Sequence, residues 1–219
     1  MKVAIVTGIV AGLFFAAPTL AQQVQTKPGY YVQLTGGSGL VGQSKVDASV
    51  SGPGGSGSGS IDVGMEPGIF ASASFGNSMP SGWAIEVEGL YVKNDYDDGD
   101  LEDLFGGPVK ADVEGKAVML NAIYAIAPIG PAVLHAGGGV GYGRTTISSE
   151  GASVESDGMM WQAMAGFTFH ASPTLSYDLT YRYLQLSQDD LSFDAFGYSG
   201  NVSSGTAVNA VTLGARLKF

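Results

Sequence analysis

The sequence predicts an all-β fold, an eight-stranded antiparallel up-and-down transmembrane β-barrel, on three observations. Eight segments alternate apolar and polar residues over roughly the 9–11 residues that a tilted strand needs to cross a bilayer. The connections between them alternate long with short, and the chain closes on an alternating segment ending at Phe219.

Taken in order, residues 1–21 read as an export signal to be cleaved. Lys2 precedes the apolar run Val3 to Ala17, Pro18 follows, and Thr19 and Ala21 form a small-residue cleavage site. The run is shorter than the roughly 20 apolar residues of a spanning helix. Residues 22–219 are then one outer-membrane barrel domain.

The clearest strand is Trp83 to Tyr91, with Trp83, Ile85, Val87 and Tyr91 on one face and Ala84, Glu86, Glu88 and Leu90 on the other. Tyr30 to Gly37, Ile69 to Phe75, Lys116 to Ile126, Leu134 to Thr145, Met160 to His170, Leu175 to Gln185 and Val208 to Phe219 complete the eight. Long connections at Ser38 to Gly68, Val92 to Gly115, Thr146 to Gly158 and Ser187 to Ala207 alternate with short ones at Gly76 to Gly82, Ala127 to Pro131 and Ala171 to Thr174. That alternation expects both termini on the periplasmic side and four long loops outside.

Facing follows from size. Leu175, Tyr177, Leu179, Tyr181 and Tyr183 share one face of their strand, as do Val211, Leu213, Ala215, Leu217 and Phe219. An eight-stranded barrel has an interior only just filled by side chains, so this many bulky residues belong outside, in lipid. Two aromatic girdles are expected. Tyr30, Trp83, Tyr124, Phe169, Tyr177 and Phe219 lie near one set of strand ends, and Tyr91, Tyr142, Trp161 and Tyr183 near the other.

The formal charge of −10 excludes a nucleic-acid partner, which needs a basic patch. The absence of cysteine excludes a lipid anchor on an N-terminal Cys and a disulfide scaffold.

Several stretches carry the resemblance to a family: Trp83 to Tyr91, Met119-Leu-Asn-Ala-Ile-Tyr124, the Gly137 to Gly143 run, Trp161-Gln162, Tyr181-Arg-Tyr183 and the ending Leu213 to Phe219. With these the chain resembles the small eight-stranded outer-membrane barrels of the OmpA transmembrane domain, OmpX and opacity-like surface antigen type. The resemblance covers essentially all of the mature chain and stops at the barrel, so it implies no peptidoglycan-binding domain. It implies that Phe219 is the assembly signal read by the barrel-assembly machinery, and it brings no catalytic motif.

On the opposite faces Glu86, Glu88, Asp178, Arg182 and Arg216 point into the lumen, where charges must be paired. A salt-bridge network that plugs the barrel is expected; a gated ion path is the sharper alternative. Eight strands enclose no open channel, so bulk porin activity is excluded. His135 and His170 would lie almost opposite each other if their strands pair around Ala152, but two histidines fall short of the usual three or four metal ligands. No metal or other cofactor is expected.

Asn94 to Asp103 fails the EF-hand template, because Gly99 comes one position early and no Glu follows at the twelfth place. It reads as a solvated acidic loop, with weak divalent-cation binding that bridges lipopolysaccharide phosphates as the sharper alternative. Ser51 to Ser60 reads as a flexible tip without the Lys of a phosphate loop. Apolar loop residues Leu101, Leu104, Phe105, Leu191, Phe193, Phe196 and Tyr198 are candidate contacts for a host or neighbouring surface, or else pack the loop bases.

The expected function is therefore that of an integral outer-membrane protein, a monomer in contact with membrane lipid and lipopolysaccharide. Its acidic extracellular loops would serve envelope integrity, adhesion or immune exposure. A lipid A-modifying enzyme and a narrow pore are the alternatives from other classes. An enzyme is disfavoured because both histidines fall at the wrong depth and on the wrong face for outer-leaflet chemistry.

Overall fold

In a computed structural model the described residues are 28–52, 55–95, 111–149, 152–186, 189–195 and 198–219. The signal segment 1–21 lies outside them, as do Leu101, Leu104, Phe105 and Phe196. Among the described residues there are ten strand segments: β1 (Gly29–Gly52), β2 (Gly55–Met65), β3 (Gly68–Ser78), β4 (Trp83–Asp95), β5 (Ala111–Ile129), β6 (Ala132–Ser149), β7 (Ala152–His170), β8 (Leu175–Gln185), β9 (Asp189–Ala195) and β10 (Tyr198–Lys218).

They make eight staves. β2 and β3 both pair with β1, interrupted at Glu66 and Pro67, where proline has no N–H for the ladder. β8 and β9 both pair with β10. Every neighbour is antiparallel, and β1 pairs with β10, so the sheet closes on itself.

The register fixes the barrel's dimensions. One circuit runs Val32, Phe75, Val87, Leu120, Val140, Trp161, Gln185, Ala207 and returns to β1 at Gln43, a stagger that includes one bulge residue between Gly39 and Val41. A shear of this size in eight strands tilts them by about 40° and gives a backbone radius of about 8 Å. Such a cylinder has room for one layer of side chains and no aqueous bore.

At the end where β10 finishes, the connections follow directly on the lipid-facing stretches. Ile129 pairs with Ala132 across Gly130 and Pro131, and Gly130 takes the positive φ of 60° that a side chain would resist. Ser172 Oγ accepts the Leu175 amide at 2.9 Å and closes a second turn. This end is called the terminal end below, and its opposite the distal end.

Facing is decided by exposure. Leu34 is 69 % exposed and Val118 62 %, whereas Glu86 is 2 % and Arg182 3 % exposed. A soluble fold does not arrange apolar side chains outward and carboxylates inward around a whole closed sheet; a lipid-embedded barrel must.

The strands run further than the alternation of apolar residues predicts. Ser51 to Ser60, read as a flexible tip, falls largely within a β1–β2 hairpin in which Gly52 pairs with Gly55. The apolar pattern marks only where strands meet lipid, and the backbone ladder continues beyond it. The histidine pairing is also corrected. Ser149 pairs with Ala152, so the hairpin is not centred on Ala152, and His135 pairs with Gly166, four residues short of His170.

Candidate functional site

Reading the inward positions along single strands shows two tiers in the lumen. From the terminal end, β4 offers Ala84, Glu86, Glu88, then Leu90 and Val92; β8 offers Ser176, Asp178, Thr180, Arg182, then Leu184, with Leu186 just past its end. On these two strands polar residues predominate in the terminal half and apolar ones in the distal half, and a smaller apolar cluster of Tyr31, Ala84, Ile123 and Met164 lies below the charges.

The polar tier brings all five predicted charged residues into two linked groups. In the first, Arg182 Nη1 donates to Glu88 Oε1 at 2.8 Å and Oε2 at 3.0 Å. Glu88 Oε2 also accepts from Asn121 Nδ2 at 2.7 Å and Gln162 Nε2 at 2.8 Å. Asn121 carries the chain on to Glu86 at 3.1 Å, and Glu86 Oε2 accepts the Tyr31 hydroxyl at 2.8 Å. In the second, Arg216 Nη2 lies 3.1 Å from Asp178 Oδ2 while Arg216 Nε donates to Gln33 at 2.8 Å. The Arg216 guanidinium stacks over the Tyr31 ring at 4.5 Å and so joins the two groups.

Five residues were read from charge alone, but Tyr31, Gln33, Asn121 and Gln162 hold the network together. Their signal was available: each is a polar or phenolic residue at an inward position of its strand. Thr168 bridges His135 Nδ1 at 3.1 Å and Asp178, and His135 Nε2 lies 3.3 Å from Thr180 Oγ1. His170 pairs with Ser176 at 2.9 Å. Each histidine thus has a hydroxyl partner of its own. Among the described residues no group of three or more His, Cys, Asp or Glu could hold a metal ion.

The apolar tier was not anticipated. Phe70, Leu90, Val92, Met119, Met160, Leu184 and Val208 form one buried cluster distal to the Arg182–Glu88 pair. β6 makes room for it by presenting glycine inward. A Cβ at Gly141 would press on Met119, and one at Gly139 on Asn121. Arg182 roofs the polar tier with its guanidinium 5.1 Å from the Phe70 ring.

Outside, beyond the aromatic row of Tyr91 and Tyr142, the charges are ordered. Lys93 reaches Asp112 at 3.3 Å, Lys116 pairs with Glu114, and Arg144 takes Asp157 and Glu155 at 2.7 Å each. The hydrogen bond from Arg144 holds Asp157 below the usual aspartate range, and the one from Lys116 does the same for Glu114. Phe193 and Tyr198 fall in β9 and β10, in strand rather than loop.

A closed antiparallel sheet with a lipid-facing apolar wall and a packed, ion-paired interior defines a small integral membrane barrel. The chain belongs to the outer membrane protein beta-barrel domain family, whose model matches residues 7–216. Among solved structures, OprG from Pseudomonas aeruginosa is 15 % identical with a TM-score of 0.51, over 90 % of this chain and 99 % of OprG. Neisserial surface protein A is 19 % identical with a TM-score of 0.47, over 87 % of this chain and 97 % of that one. The Escherichia coli outer membrane protease OmpT is 7 % identical with a TM-score of 0.43, over 89 % and 98 % of the two chains. OprG carries the likeness in fold; at these identities nothing about activity transfers. No curated protein matches the chain.

Proposed function

We propose that this outer-membrane barrel is a non-conducting, non-catalytic surface protein that holds its distal hairpins outside the cell. One observation carries the reading: the lumen is filled at two successive levels, first by the Arg182–Glu88–Asn121–Gln162 cluster and then by the Phe70, Leu90, Met160 and Leu184 layer. An ion path would need water through both. The interior charges serve as a plug that locks the staves together.

The short turns at the terminal end and the long hairpins at the other support termini in the periplasm and hairpins outside. The exposed row of Asp47, Ser49, Ser51, Ser56 and Ser58 supports a hydrated surface role in envelope integrity, adhesion or immune exposure. A removed signal at residues 1–21, recognition of Phe219 by the assembly machinery and a monomeric state belong to the same proposal. Both histidines lie in the terminal half, which speaks against an outer-leaflet lipid A enzyme.

The test is planar-bilayer recording of the refolded protein, with protease treatment of whole cells. No discrete conductance and cleavage within the β1–β2 hairpin are expected. Stepwise openings would overturn the plug, and a changed lipid A profile in a deletion strain would overturn the non-enzymatic reading.

A further inference from the structure

The two histidines stand in different settings. His170 is half-buried at the terminal mouth of the lumen, where water can reach a charge on it. His135 is 6 % exposed and has both ring nitrogens engaged, Nδ1 with Thr168 Oγ1 at 3.1 Å and Nε2 with Thr180 Oγ1 at 3.3 Å. Thr168 in turn meets Asp178 Oδ1, its direct partner across β7 and β8, and Asp178 Oδ2 lies 3.1 Å from Arg216 Nη2.

Valence places the hydrogens in this row. A carboxylate only accepts, so the single hydroxyl hydrogen of Thr168 goes to Asp178. Thr168 Oγ1 is then an acceptor towards the ring, so His135 Nδ1 carries the ring hydrogen and Nε2 accepts from the Thr180 hydroxyl. Every bond in the row Thr180, His135, Thr168, Asp178 therefore runs the same way, and ends on the carboxylate that Arg216 holds.

This row fits a neutral imidazole. A proton on Nε2 would turn that nitrogen into a donor and force the Thr180 hydroxyl hydrogen away. It would also unbalance the interior. The titratable groups facing His135 are Glu86 and Glu88 on β4, Asp178 and Arg182 on β8, Arg216 and Lys218 on β10, Tyr31 on β1 and His170 on β7; among the described residues β3, β5 and β6 itself add none. Three carboxylates thus stand against three cations, and an imidazolium is an added charge. Asp178, the carboxylate nearest to the ring, is already taken by Arg216 and Thr168, and Glu88 by Arg182.

We propose that His135 is an acid-sensing latch of the lumen. Neutral, it ties β6 to β7 and β8 through two threonines; protonated, it releases Thr180 and loosens the polar tier. The inference rests on the polar tier being the plug that locks the staves.

Urea unfolding of the refolded full-length protein in phosphatidylcholine vesicles, at about pH 7.5 and about pH 5, tests the latch. A histidine in an unfolded chain titrates near pH 6.5, so a site that admits only the neutral ring raises the unfolding constant by up to about thirtyfold at pH 5. That stability is fully present above the unfolded value and is lost as pH falls below it. His135→Asn keeps a donor for Thr168 and takes no proton, so its acid response should be about tenfold smaller than that of the wild type. His170→Asn should respond as the wild type does. Carboxylates that protonate in all three proteins cancel in the comparison. An equal response in the wild type and His135→Asn, or a response lost with His170 instead, would overturn the latch. If His135→Asn does not refold, nitrogen NMR of labelled histidine in the wild type decides: hydrogen on Nδ1 and a bare Nε2 are expected at neutral pH, and the opposite tautomer would overturn the row. Latch and plug fail separately, since stepwise conductance at neutral pH contradicts the plug, whereas a missing His135 response contradicts the latch alone.

Discussion

Removing one partner of the Arg182–Glu88 pair probes the lumen most sharply. The side chains are 3 % and 1 % exposed and meet at 2.8 Å, so neither charge can turn to water when its partner is lost. An uncompensated buried charge costs about 3–5 kcal/mol. The two ends of the pair should not cost the same. Arg182→Ala leaves Glu88 with the Asn121 and Gln162 amides, whereas Glu88→Ala leaves the guanidinium without a carboxylate and with the Gln162 amide oxygen at 3.2 Å. Arg182→Ala should therefore fall near 3 kcal/mol and Glu88→Ala near 5 kcal/mol, as order-of-magnitude values. Glu88→Leu combined with Arg182→Met removes both charges and fills the volume, and should cost less than either single alanine. Urea unfolding in phospholipid vesicles, followed by tryptophan fluorescence and the mobility shift, measures all three. Single losses below about 1 kcal/mol, or a double variant that simply adds them, would refute the buried network.

The other expectations can be taken together. Gly139→Val should destabilise the barrel by about 1–3 kcal/mol in the same unfolding assay, because its Cβ is forced against Asn121 and lies 2.9 Å from the Leu120 carbonyl. Arg144→Gln should return Asp157 to the ordinary aspartate range in a carboxyl NMR titration. With its pKa lowered in the folded protein, Asp157 contributes stability above the unfolded value of 3.8, and that contribution is lost as pH falls through the folded value. Trp83 and Trp161, 45 % and 46 % exposed, belong to opposite girdles, so bromine placed near the headgroups should quench both more strongly than bromine at the bilayer centre. Equal quenching at the two depths would contradict that placement.

Much of this was legible in the sequence because lipid and lumen impose opposite demands on alternate residues. Trp83 to Tyr91 shows both faces at once, and Glu86 and Glu88 could be assigned inward from their neighbours alone. The apolar tier was harder to see. Leu90 stood on the charged face of that same segment, but an inward leucine is informative only when Phe70, Met160 and Leu184 are known to meet it, and their register spans four staves. The distal hairpins were hidden for another reason. Gly55 to Ser60 has no side-chain pattern of a lipid-facing strand, since beyond the bilayer nothing apolar is required and backbone pairing suffices. The outer cations were likewise invisible as a cluster until Lys116 and Arg144 were aligned across β5 and β6.

The central claim is a closed barrel whose first and last staves meet in one register, and the seam between β1 and β10 tests it. Leu34 and Ala215 are direct partners there, and the chain has no cysteine of its own. Leu34→Cys with Ala215→Cys should oxidise to a single intramolecular disulfide in the refolded protein, because directly paired residues stand within the roughly 4.4–6.8 Å that a disulfide spans. It should form far more slowly when Leu213→Cys replaces Ala215→Cys. Failure of the 34–215 bond in protein that still partitions into vesicles, or faster bonding in the shifted pair, would contradict the closed register.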